Sequence, residues 1–129
     1  RGLRASGAPE AKAAMERAAD WLRAVQNADG GWGESCASYV HDHFVPAPST
    51  ASQTAWAVLG LLAAGKHDTP AFRRGVDYLI ANQTEEGTWK EDFATGTGFP
   101  NVFYMRYTLY CQHFPLMALA LGTRALSGA

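Results

Sequence analysis

A chain of 129 residues is one domain in size, and with 47% of them apolar it has enough side-chain volume to build a core. Its formal net charge of −1, with Lys and Arg scattered rather than gathered into a stripe, gives no footing for nucleic acid or an acidic substrate. The longest strongly apolar run, residues 55–64, is too short to span a bilayer, so the chain is expected to be soluble by itself.

The first residues contain no apolar signal-peptide core, and a start at Arg1 rather than Met is expected of a processed or truncated chain. Pro9 suits the first turn of a helix. Ala11, Met15, Ala18, Leu22 and Val25 then recur at helical spacing, while Lys12, Glu16, Arg17, Asp20 and Arg23 occupy other faces. That helix is amphipathic and belongs to an outer layer. The stretch after Trp32, GESCASYVHDHFVPAPSTAS, reads as a loop of functional length. From about Ser52 to Gly65 the chain is apolar around nearly its whole circumference, which predicts a helix buried on all sides. Thr69 and Pro70 then form a cap and first-turn pair for a second one-faced helix carrying Phe72, Val76 and Leu79.

After a loop over residues 90–98, Pro100 opens a fourth helix, which Pro115 is expected to kink or split. On that helix Phe103, Tyr107, Tyr110, Phe114 and Met117 share one stripe with Phe99 at its head, and by period alone the stripe is core. The order amphipathic, buried, amphipathic, buried predicts an all-α fold of about four main helices: a partial (α/α) barrel of alternating outer and inner helices with no sheet. Residues 1–129 are expected to form a single domain. Four helices do not close a ring, so the chain either packs on copies of itself or is one portion of a longer protein.

One stretch is written twice. RAADWLRAVQNADGGWGE at residues 17–34 returns, 57 positions on, as RGVDYLIANQTEEGTWKE at residues 74–91. Fixed-period repetition marks a stacked architecture. Each copy runs from an amphipathic helix to a glutamine (Gln26, Gln83), through a glycine turn, to a tryptophan (Trp32, Trp89). The glutamine amide is able to donate to orphan carbonyls at the helix end, and the tryptophan to fold back over the turn. Taken singly, each copy is also what a capped helix followed by a buried aromatic would spell.

The repeated Gln-x-x-x-Gly-x-Trp resembles the QW motif of the triterpene cyclases, where it is a structural clamp. TGTGFPNVFYMRYTLYCQHFP, residues 95–115, resembles the C-terminal segment of bacterial squalene-hopene cyclases. With QTAWA at residues 53–57, the resemblance covers about residues 10–121. It implies an α/α-barrel fragment of an enzyme that protonates squalene and closes its rings through carbocations, with residues 95–117 as the aromatic active-site segment. In a dry hydrocarbon cavity such cations need π-faces rather than nucleophiles beside them. By resemblance, Phe99 and Phe103 match phenylalanines that stabilise later ring cations, Tyr107 faces substrate and Tyr110 supports it. Asp29 and Glu34 match acidic positions near the proton-donating site, where a carboxylate could orient the acid or return its proton.

The resemblance also sets what is missing. The proton donor of these cyclases is the middle Asp of Asp-x-Asp-Asp, which does not occur here, so the isolated chain is expected to be inactive on squalene. No cofactor or metal is implied. Cys36, His41, Asp42 and His43 match no common zinc spacing, and Cys36 and Cys111 are too few for a disulfide framework, with reduced thiols as the default. The expected partners are squalene and the remainder of the cyclase chain, or, through uncovered apolar flanks, a second copy. Membrane association, peripheral and on the cytoplasmic side, comes only through the parent enzyme. Two other readings stand beside this one: a zinc enzyme like a prenyltransferase β-subunit, and a non-catalytic α/α module that binds lipid or protein.

Overall fold

The computed structural model describes residues 2–127. After a short exposed helix α1 (Gly2–Ser6), α2 (Pro9–Ala24) begins at the proline and exposes most of its charged face. β1 (Trp32–Glu34), α3 (Ser38–His41) and β2 (Pro46–Thr50) lead into α4 (Ala51–Ala63), and α5 (Pro70–Ala81) follows. β3 (Gly96–Phe99) and β4 (Phe103–Met105) precede the last helix, α6 (Tyr110–Ser127).

Patterning predicted a sheet-free fold of about four helices, and the structure corrects this. Among the described residues there are six helices and two antiparallel two-stranded sheets, β1 with β2 and β3 with β4. Strands this short cannot display a period of two, and their Gly and Pro content reads as loop. The loop expected after Trp32 thus holds β1, α3 and β2, with Trp32 opposite Thr50 and Glu34 opposite Pro46.

The fourth helix is corrected as well. Pro100 does not open it. Phe99, Pro100, Asn101 and Val102 form the turn of a hairpin, closed by the Val102 N–H on the Phe99 carbonyl at 3.0 Å, with Asn101 at φ 66°. Proline second and a positive-φ asparagine third is type II turn chemistry. The hairpin pairs Gly96 with Met105, Thr97 with Tyr104 and Phe99 with Phe103, and α6 starts only at Tyr110. Pro115 is buried inside α6, which is one helix through that point rather than two.

α4 is the element the rest packs on, touching α6, α5, α2 and both strands of the first sheet. Thr50 caps its N-terminus by accepting from the Gln53 N–H. The Glu91 carboxylate adds a second anchor, accepting from the Ser52 N–H at 2.9 Å and the Ser52 hydroxyl at 2.7 Å. A carboxylate at that end also meets the positive pole of the helix. At the other end Gly65 donates to Leu62 and Lys66 to Leu61, the paired bonds of a Schellman stop. Val58 and Leu61 of α4 and Phe72 and Leu79 of α5 are fully buried, each contributing about 1.5–3 kcal/mol by leaving water.

Candidate functional site

The two repeated turns anchor everything near the site. Trp32 and Trp89 are both buried, and each donates its indole N–H at 2.8 Å to a carbonyl in the last turn of the preceding helix, Leu22 in α2 and Leu79 in α5. Those carbonyls are ones the next backbone N–H would have taken had the helix continued. The sequence reading gave that role to the glutamines, and the structure reassigns it. Gln26 donates instead to Gly30 at 2.7 Å and to Ala71 at 2.9 Å, and Gln83 donates to Gly87 at 2.9 Å. The amide closes the turn, and the longer indole reaches the helix end. Gly30 and Gly87 sit at φ 89° and 78°, a conformation that a side chain disfavours. The first turn also joins the repeats, because Arg74 of α5 donates to the Gln26 amide oxygen.

Two further glutamines, given no role from sequence, extend this scaffold. Gln53 in α4 bonds both backbone groups of Glu34, at 2.9 and 3.0 Å. Gln112 in α6 does the same for Trp89, at 3.4 and 2.8 Å. Each of these two helices thereby holds the extended segment that leaves a clamp. A glutamine in the first turn of an otherwise apolar helix was the available signal, since a buried amide must find partners.

The expected aromatic stripe is only partly helical. Tyr110, Phe114 and Met117 lie on α6, Tyr107 stacks on Tyr110 at 4.6 Å from the turn before it, and Phe103 belongs to β4. Phe99 and Phe103 face each other across the hairpin and are 70% and 52% exposed, so neither is core. Tyr107, at 45%, is also exposed. Tyr107, Tyr110, Phe114 and Met117 border an open cleft of about 550 Å³, and Phe99 and Phe103 stand outside its lining. Trp56 of α4, which sequence reading left without a role, meets Tyr110 and Phe114 edge to face at 5.7 and 5.4 Å.

A second cleft, of about 620 Å³, is bordered by Trp56 together with Trp21, Glu34, Cys36 and Phe44. The two acidic candidates part company here. Asp29 is tied into its own turn, one carboxylate oxygen accepting from the Gly31 N–H at 3.0 Å and the Ser49 hydroxyl at 2.8 Å. Glu34 borders the cleft, with its side chain exposed. Burial, and then the charges of Asp29 and Glu91, push the Tyr78 hydroxyl above its ordinary value, and it donates to the Ser49 carbonyl at 2.9 Å.

Cys36 and Cys111 are both free thiols. Cys36 donates to the Ala94 carbonyl at 3.4 Å, and burial followed by the Glu34 charge raises its pKa. A raised pKa means the folded state holds the proton more tightly than the unfolded one, so this contribution to stability is present at neutral pH and lost as the pH climbs through the folded value. Cys36 is accordingly expected to react with iodoacetamide more slowly than free cysteine at neutral pH, and to catch up only under alkaline conditions. Mass-spectrometric rates across pH check this, and a neutral-pH rate equal to free cysteine's contradicts it.

His41 and His43 sit 5.6 Å apart in exposed positions. Among the described residues no three His, Cys, Asp or Glu side chains converge to hold a metal ion, and no helix is long and apolar enough to cross a membrane.

A family model described as the squalene-hopene cyclase C-terminal domain matches residues 1–124. A squalene-hopene cyclase of Zymomonas mobilis is 51% identical over 120 residues, covering 92% of this chain and 18% of that protein. One from Bradyrhizobium diazoefficiens is 59% identical over 108 residues, covering 82% of this chain and 16% of its own length. A dammaradiene synthase of Dryopteris crassirhizoma is 48% identical over 122 residues, again 82% of this chain and 18% of the relative.

Proposed function

Since the chain belongs to the squalene-hopene cyclase family, matching its C-terminal domain while spanning under a fifth of the length of the relatives cited, we propose that it forms one wall of the cavity in which a triterpene cyclase folds and cyclises squalene. The observation that carries this reading is the outward-facing aromatic series Phe99, Phe103 and Tyr107, continued by Tyr110 and Phe114 along a cleft. Large rings left uncovered at one end of a packed helical unit are costly in water. They make sense when the remainder of a longer chain closes over them. Leu109, also exposed, borders the same cleft, and Val102, at 80% exposure, directly precedes Phe103 in the hairpin.

In this reading the polyene is protonated elsewhere, by an Asp-x-Asp-Asp acid that these 129 residues do not contain. Positive charge then migrates along the folded chain as rings close. Phe99 and Phe103 would stabilise late ring cations, Tyr107 would face the hydrocarbon, and Tyr110 would back it. None of these side chains is a strong nucleophile, so the cation is held without being captured. Because the rings are in place before the charge develops, little reorganisation accompanies it. Glu34, on the second cleft, is the better placed of the two acids to join a proton-relay network, while Asp29 serves its turn. Membrane attachment, peripheral and on the cytoplasmic side, falls to the rest of the enzyme.

In a complete cyclase carrying this segment, Phe103→Ala is expected to divert squalene to incompletely cyclised products. Loss of one cation–π contact of about 0.5–2 kcal/mol corresponds to about 2- to 30-fold in the affected step. Gas chromatography of the products checks it. An unchanged product profile at an unchanged rate would remove Phe103 from the wall.

A further inference from the structure

We infer that Trp56 is a positioning residue for the aromatic wall: its ring, supplied by α4, fixes the planes of Tyr110 and Phe114 on α6. Three contacts define the arrangement. Trp56 meets Tyr110 at 5.7 Å and 77°, Trp56 meets Phe114 at 5.4 Å and 75°, and Tyr110 meets Phe114 at 5.2 Å and 80°. Each pair has the edge-to-face geometry that the ring quadrupoles prefer. Three planes that are all nearly perpendicular to one another leave no free choice of orientation, because turning any one ring spoils two contacts. Without the third ring, Phe114 would meet only Tyr110 among the aromatic rings, and Tyr110 would be left with Phe114 and the exposed Tyr107. Trp56 closes the set from a different element.

That element is fixed at both ends, by the Thr50 cap and the Gly65 stop. Trp56 lies between Ala55 and Ala57, both buried, on the helix capped by Thr50 and anchored at Ser52 by Glu91. The orientation passes outward, since Tyr107 stacks on Tyr110 at 4.6 Å with its ring exposed. Trp56 itself borders the 620 Å³ cleft, and is absent from the lining of the 550 Å³ cleft beside Tyr107. It therefore acts on that wall through other rings. A cation that must sit over a π-face is sensitive to the tilt of that face, so loosening Trp56 alters where charge rests without removing any ring from the wall.

The inference rests on the cavity-wall reading, and the test separates the two. In the complete cyclase, Trp56→Leu keeps apolar bulk and removes the ring edge, while Trp56→Phe keeps a ring. Trp56→Leu is expected to lower kcat about 5- to 15-fold with KM within about twofold, to raise the share of partly cyclised products, and to be largely rescued by Trp56→Phe. Should the Leu variant fail to fold, Trp56→Met, which also lacks a ring, combined with Tyr110→Leu gives a double-mutant cycle, in which non-additivity above about threefold in kcat supports the role and additivity overturns it. Wild-type kcat and products in a folded Trp56→Leu, in a background where Phe103→Ala does divert products, overturn the positioning role alone. If neither variant changes products, the cavity-wall reading falls with it. A rise in KM alone makes Trp56 a substrate contact and also overturns the inference.

Discussion

Trp32→Ala is expected to lower the unfolding free energy of this chain by about 3–5 kcal/mol, the usual range for deleting a buried large aromatic. Trp32 is 4% exposed, and its ring lies so close over α5 that a Cβ added at Gly75 would fall 2.7 Å from it. Its indole satisfies the Leu22 carbonyl, and its backbone N–H donates to the buried Thr54 hydroxyl at 2.9 Å. The side chain thus ties the end of α2 to α5, while the backbone ties β1 to α4. Natural domains are stable by about 5–15 kcal/mol, so this one truncation removes a large share. Trp32→Phe keeps most of the apolar area and leaves the Leu22 carbonyl without its donor, for a smaller loss of about 1–3 kcal/mol. Urea unfolding followed by circular dichroism ranks the three proteins. A loss below about 1 kcal/mol for Trp32→Ala would show that the clamp carries little of the stability.

The second large effect is expected from a single methyl group. A Cβ at Gly33 would stand 2.0 Å from the Pro48 carbonyl oxygen and 2.6 Å from that of Ala47. Both obstacles are backbone of β2, so no side chain can swing aside. Gly33→Ala must force β1 and β2 apart, at about 3 kcal/mol or more, beyond ordinary overpacking of a core. The damage should spread, because β2 ends at Thr50, the cap of α4, and β1 carries Trp32. Gly96→Ala is the matched control. There the nearest atom to an added Cβ is the Met105 methyl at 3.9 Å, and the change in stability should stay within about 0.5 kcal/mol. Equal urea midpoints for the two alanine variants would refute the close-approach argument.

Legibility differed sharply from one segment to the next. Pro9, Thr69–Pro70 and Gly65 announced helix ends, because capping and backbone chemistry act within three or four residues and are written locally. The hairpin was missed because Pro100 is equally at home as a first helical residue and as the second residue of a turn. The aromatic period of residues 103–117 then favoured the helix. Cross-strand pairing of Phe99 with Phe103 settled the matter, and that pairing is a contact rather than a local preference.

By itself, the sequence determined the family, the doubled Gln-to-Trp turns, and the residue types able to sit beside a carbocation. All of these depend on which side chains occur at which spacing. Only the tertiary structure decided that the indoles rather than the amides reach the helix ends. It also decided that Asp29 is spent on its turn while Glu34 borders a cleft, and that Trp56 of α4 meets the rings of Tyr110 and Phe114 edge to face. Those outcomes depend on distances between atoms 10 to 58 residues apart along the chain, which no local propensity encodes.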